Sequence, residues 1–155
     1  MTEGRIVGDV VVAIDFSDRT DAVIAEGVAL ARAAGSTLHL LHVAAGEPVL
    51  AGYDKDEISA FTREARAGEL TDEHRRLRET AEQLGAGGVD ARALVVMGPT
   101  AQKILEAVEH VGASHLVLGS HGRGGLHHLL VGSVAEEVVR RATVPVVLVP
   151  VRGTH

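Results

Sequence analysis

Two glycines separated by two residues, followed after nine more by a glycine and a serine, carry the clearest chemical signal in this chain: Gly119, Gly122, Gly132 and Ser133. Just before them, His115 to Leu118 is an apolar run that reads as a buried strand, and Val134 to Ala142 has helical spacing. A glycine-rich loop between a strand and a helix presents fixed backbone N–H groups that can cradle phosphate. Gly119 and Gly122 lack a Cβ, so they tolerate positive φ and let a ligand approach the backbone. Ser133 adds a hydroxyl at the start of a helix whose dipole favours an anion. Arg123 offers a cation next to Gly122, and reads equally well as a solvated surface arginine. A purely structural reading stands beside this one. Ser133-Val-Ala-Glu136 has the spacing of a capping box, and glycines between strand and helix also serve as tight turns. The residues alone leave both open.

The common nucleotide motifs do not match. Gly119 and Gly124 have the spacing of a P-loop, but Gly125 stands where lysine is required. The first strand-to-helix turn, Asp15-Phe-Ser-Asp18, contains no glycine and so lacks the dinucleotide fingerprint. Asp15 itself is a second candidate. At the carboxyl end of the first strand, its carboxylate can accept from a ribose hydroxyl or help hold a metal bound to phosphates, or it can cap the following helix. The nine histidines form no metal-binding spacing. His39 and His42, three apart on a strand, point to opposite faces, and the adjacent His127 and His128 diverge. His121 lies inside the glycine loop and either contacts phosphate or is exposed. No Ser/His/Asp arrangement supports nucleophilic catalysis.

The elements that must position these residues alternate. Strands are expected over Asp9 to Ile14, Thr37 to Val43, Ala91 to Val96, His115 to Leu118 and Val144 to Val149. Helices are expected over Arg19 to Ala34, with Gly35 as a left-handed cap, and over Ile58 to Leu84, with a break near Gly68. Further helices run from Pro99-Thr100 to Gly112 and from Ser133 to Ala142. The segment from Ala44 to Ser59, with Gly46, Pro48 and Gly52, reads as a loop. The order βαβαβαβαβ favours an α/β fold with a parallel sheet and right-handed crossovers. Ligands in such sheets bind outside the carboxyl ends of the strands, where strand order reverses.

Composition agrees with that architecture. With 155 residues, 46% hydrophobic and only 2% aromatic, the chain suits one domain, residues 1–155, with an aliphatic core buried on both faces of a sheet. The formal charge of −6, with 15 basic residues spread along the chain, argues against nucleic-acid binding. No apolar run reaches the ~20 residues of a membrane span, and no basic-then-apolar leader is evident. The absence of cysteine excludes disulfides and thiol chemistry. A cytoplasmic location is expected.

These residues together resemble the universal stress protein family over nearly the whole chain, Val10 to Pro150. The resemblance rests on Val11-Val-Ala-Ile-Asp15-Phe-Ser17, on Leu116-Val-Leu-Gly-Ser-His-Gly-Arg-Gly, on Leu130-Val-Gly-Ser133-Val-Ala-Glu-Glu-Val and on Val144-Pro-Val-Val-Leu-Val149. The pattern G-x2-G-x9-G-(S/T) of the family's ATP-binding members is complete here. The resemblance implies five parallel strands in order 3-2-1-4-5, helices on both faces, in an adenine nucleotide alpha hydrolase-like fold. It implies ATP across the carboxyl ends of strands one and four, with magnesium left open. Gly119, Gly122, Gly132 and Ser133 then hold phosphates and Arg123 adds a contact. Asp15 matches the acidic residue near the nucleoside, Val43 an apolar position beside adenine, and Gly98 a glycine of the same wall. Val144 to Val149 matches the segment that pairs across a homodimer. Many members have Pro-Thr or Pro-Val before the acidic residue, where this chain has Ala13-Ile14, a neutral change. The function implied is nucleotide-binding regulation in stress response with little or no turnover. A slow ATPase, a dimeric interaction module with a vestigial site, and cyclic AMP as the ligand are the alternatives. Stress signal and protein partner are not legible.

Overall fold

A computed structural model describes residues 8–44, 72–120 and 131–150. Five strands, β1 (Asp9–Ile14), β2 (Leu38–Ala44), β3 (Ala91–Met97), β4 (Ala113–Gly119) and β5 (Val146–Val149), form one parallel sheet in the order β3-β2-β1-β4-β5. The expected strand order is thus the observed one. Four helices cover it: α1 (Thr20–Ala34), α2 (residues 72–86), α3 (Thr100–Val111) and α4 (Ser133–Arg141).

The central strand explains the layering. Val10, Val11 and Val12 are all at most 1% exposed, so β1 is covered on both faces, as β-branched residues in a parallel sheet favour. Side chains alternate along it. Val10, Val12 and Ile14 pack with Val23 and Ala31 of α1 and Leu77 and Ala81 of α2. Val11 packs on the other face with Ile104 and Val108 of α3 and Ala135 and Val138 of α4. Two aliphatic cores therefore flank the sheet. Burial of each such side chain contributes about 1.5–3 kcal/mol.

Helix ends fall where glycine allows them. Gly35 (φ 64) and Gly112 (φ 66) close α1 and α3 in the left-handed conformation. α2 continues through Gly85 to residue 86 and ends at Gly87-Gly88, where Gly88 has φ 93. The expected break near Gly68 and most of the Ala44–Ser59 loop lie outside the described residues. β4 is longer than expected at both ends. β5 is shorter, beginning at Val146, because Pro145 has no N–H to give to a ladder. No helix among the described residues is long and apolar enough to cross a membrane.

α1 lies close to the sheet because residue 27 has no side chain. A methyl at Gly27 would collide with Val12 Cγ2 and press on Leu38 Cδ1. Gly27→Ala is therefore expected to destabilise the domain by about 1–3 kcal/mol despite its better helix propensity. Urea denaturation checks this, and an equal or raised midpoint would refute the close packing.

Candidate functional site

The carboxyl ends of β1, β2 and β4 and the amino ends of α1, α3 and α4 line a cavity of about 320 Å³. It sits at the strand-order reversal between β1 and β4, where α/β sheets bind ligands, and falls in the range of small-molecule sites. Five of the eight residues expected at the site line it: Asp15, Val43, Gly119, Gly132 and Ser133.

Asp15 immediately follows β1, and it does not cap α1, whose N-cap is Arg19. Asp15 Oδ1 accepts from the backbone N–H of Ser17 at 3.0 Å, forming a local turn, while the residue lines the cavity. Ser17 Oγ accepts from the Arg19 N–H at 3.3 Å, and no side chain caps α1 at its N-cap residue, Arg19. Between them Phe16 has φ 59, a left-handed conformation that a bulky side chain rarely takes. Such strain persists where surrounding structure enforces it, often at functional sites. Thr20, the first residue of α1, lines the cavity, and its buried Oγ1 has no hydrogen-bond partner among the described residues.

On the opposite wall Gly119 is the last residue of β4, paired with Val149. The N–H of Gly132 donates to the Ser120 carbonyl at 2.6 Å, which brings the two flanks of the glycine segment together. Gly132 is the N-cap of α4, with φ −73 and ψ 165. This is ordinary extended backbone, so the value of glycine here is its lack of a side chain at the cavity and not an unusual φ. The capping-box reading fails. Ser133 is the first helical residue, no side chain caps α4, and the Glu136 carboxylate instead accepts from Arg140 at 2.6 Å. The first-turn N–H groups of α4 therefore face the cavity without a side-chain acceptor of their own.

Val43 lines the cavity beside His42, its ladder partner being Val96. Gly98 does not line it. It turns the chain after β3 with φ 137, donates to the Ala44 carbonyl at 3.3 Å, and has the Lys103 side chain where a Cβ would stand. Gly122, Arg123, His121, His127 and His128 lie outside the described residues.

Sequence reasoning missed Arg19, Thr20 and His42 as lining residues. His42 is 9% exposed, and its Nδ1–H donates to the Ile14 carbonyl at 2.7 Å. Its ring lies 4.6 Å from that of Phe16, and the Arg76 guanidinium sits 4.3 Å over the Phe16 ring. The period of two was the available signal, since it puts His42 on the buried face of Leu38 and Leu40. As expected, His39 and His42 serve different partners. His39 contacts Asp9 at 2.8 Å.

Comparison with known proteins adds the lineage. Residues 7–150 match the model of the universal stress protein family. The universal stress protein YxiE of Bacillus subtilis is 33% identical over 143 residues, covering 89% of this chain and 95% of its own. The universal stress protein UspA from Lactobacillus plantarum shares the fold, with a TM-score of 0.81 at 21% identity over 94% of this chain and 98% of that one. So does the universal stress protein from Archaeoglobus fulgidus solved in complex with dAMP, with a TM-score of 0.64 at 23% identity over 92% and 98%. With sequence and fold in agreement over almost its full length, the chain belongs to the universal stress protein family.

Proposed function

We propose that the cavity binds an adenine nucleotide, ATP in the first instance, and that the protein is a nucleotide-responsive regulator with little or no turnover. The observation that carries this reading is the uncapped start of α4. Gly132 and Ser133 open onto the same cavity as Asp15 and Val43, so an anion acceptor and a nucleoside wall face one space. The dAMP bound by the Archaeoglobus protein supports an adenine nucleotide in this fold.

The residues present suit such a ligand. The first-turn amides of α4 and the Ser133 hydroxyl would receive phosphate oxygens, with Gly119, Gly122 and Arg123 completing that end. Thr20 brings a hydroxyl that has no other use among the described residues. Asp15 would accept from the ribose, with Oδ1 already engaged by Ser17, and Val43 would cover the base. Magnesium, where present, would supply charge neutralisation at the phosphates. Arg19 is the basic side chain other than histidine on the described lining, and no lysine is found there to stabilise a transferring phosphoryl group, which favours holding nucleotide over hydrolysing it. A cytoplasmic location, where such nucleotides are abundant, is part of this proposal.

We also infer a homodimer through β5. All four of its residues are half-buried, and no strand among the described residues pairs with its outer edge. An apolar edge strand of this kind is a template for a second strand. Sedimentation should give about twice the 16.2 kDa chain mass, and a monomer at every concentration would refute pairing.

Titration of nucleotide-stripped protein with MgATP is expected to show micromolar binding, about −8 kcal/mol, with negligible phosphate release. Gly132→Val should abolish it, because the new side chain enters the cavity. Absence of binding by the parent protein at millimolar nucleotide overturns the reading. Thr20→Val replaces a partnerless hydroxyl by a methyl of the same shape. The ligand-free protein should gain about 1 kcal/mol, a rise of ~2–4 °C in Tm, while the further stabilisation given by MgATP should shrink. An unchanged MgATP shift would remove Thr20 from the site.

A further inference from the structure

We propose that Arg76 of α2 is a positioning residue for the nucleoside end of this site, acting on Asp15 through the ring of Phe16. The inference rests on the nucleotide reading above and deepens it. Among the described residues Phe16 alone, glycines apart, has a positive φ, 59°. A bulky side chain takes that conformation at a cost, and the surrounding contacts must hold it there. The ring supplies such contacts. It packs against the core that contains Val12, Ile14 and Leu77, and it lies 4.6 Å from the His42 ring. The Arg76 guanidinium stands 4.3 Å over its face, where the ring quadrupole attracts a cation. Arg76 makes no ion pair among the described residues, so the ring does not share that cation with a carboxylate there.

What the ring holds is the orientation of Asp15. The hydrogen bond from the Ser17 N–H to Asp15 Oδ1 closes a turn with Phe16 at its corner. Relaxation of Phe16 to a negative φ turns the Ser17 N–H about the chain, and the carboxylate it holds must follow or let go. Either way Asp15 leaves the place on the cavity wall from which it meets a ribose hydroxyl. Arg76 itself is exposed and does not line the cavity. It acts at one remove, and the feature of the ligand it governs is the one Asp15 reads. By linkage, a nucleotide that engages Asp15 also steadies the seating of α2.

The test compares MgATP with magnesium dideoxyATP, which keeps base and phosphates and lacks both ribose hydroxyls. Each is titrated into the full chain as parent protein, Arg76→Gln, Arg76→Lys and Phe16→Leu. The parent is expected to prefer MgATP about tenfold. Arg76→Gln removes the charge and should cut that preference about threefold, the size of an exposed cation–π contact, with affinity for dideoxyATP unchanged. Phe16→Leu keeps an apolar side chain without the ring and should lose at least as much. Arg76→Lys restores a cation and should regain most of the preference. A loss shared equally by both nucleotides, an unchanged preference in Arg76→Gln, no recovery in Arg76→Lys, or a parent that binds the two equally overturns the proposal. Exchange of the Ser17 amide in the ligand-free proteins, followed by NMR, supplies a reading independent of nucleotide. It should be about threefold faster in Arg76→Gln and Phe16→Leu than in the parent and Arg76→Lys, with the amides of β4 unchanged. Equal exchange refutes the action of Arg76 on the turn. Failure of the parent to bind any nucleotide, with the exchange difference present, would instead refute the nucleotide reading and leave that action standing.

Discussion

The site depends on the reversal of strand order at β1. The chain leaves β1 through α1 toward β2 on one side, and returns on the other side as β4 before passing to α4. The two directions of winding put α1 and α4 on opposite faces of the sheet. Their amino ends therefore splay apart above the carboxyl ends of β1 and β4, and no element among the described residues fills the space between them. The residues at that rim stand at strand ends and helix starts.

Local chemistry sharpens what topology opens. At most helix starts a serine, threonine or aspartate takes up the orphan amides. Here the three helices that line the cavity have none at their N-caps, Arg19, Pro99 and Gly132. Side chains able to do that work are turned to other tasks. Asp15 and Ser17 shape the turn before α1, and Glu136 pairs with Arg140. The opposite end of the sheet contrasts with this. There Asp9 engages His39 and the Thr37 amide, and Thr37 Oγ1 donates to Asp90 at 2.7 Å, so polar groups satisfy one another.

Much of this was legible in the residues, and the limits have physical causes. Strand runs rich in valine and leucine, bounded by glycine caps such as Gly35 and Gly112, announced themselves through composition and period. Asp15, Val43, Gly119, Gly132 and Ser133 converge because strand ends converge, which the βα alternation already implied. Gly98 is different, since a glycine after a strand signals a turn as readily as a wall, and its backbone here serves the turn. The capping box misled because Ser133 and Glu136 have the right spacing one residue too late, Gly132 holding the cap position. Thr20 and His42 were hidden for another reason. The period of two shows only that His42 is buried; what lies opposite each residue, the cavity for Thr20 and Phe16 with Glu73 for His42, is a tertiary encounter that leaves no periodic trace.

The pairing of β1 with β4 has a further consequence for how the domain comes into being. Val10 to Val12 form their ladder on one side with residues 38–40, soon after them in the chain, and on the other with residues 115–117, made much later. During synthesis the most apolar strand must wait with one edge bare, shielded by α1 and α2 on one face only, a state prone to wrong partners. The cavity does not exist until β4 and α4 have arrived. A ligand held there can take no part in the early half of folding. It acts as an inspector of the finished domain, gripping only chains in which the first strand has met its last neighbour.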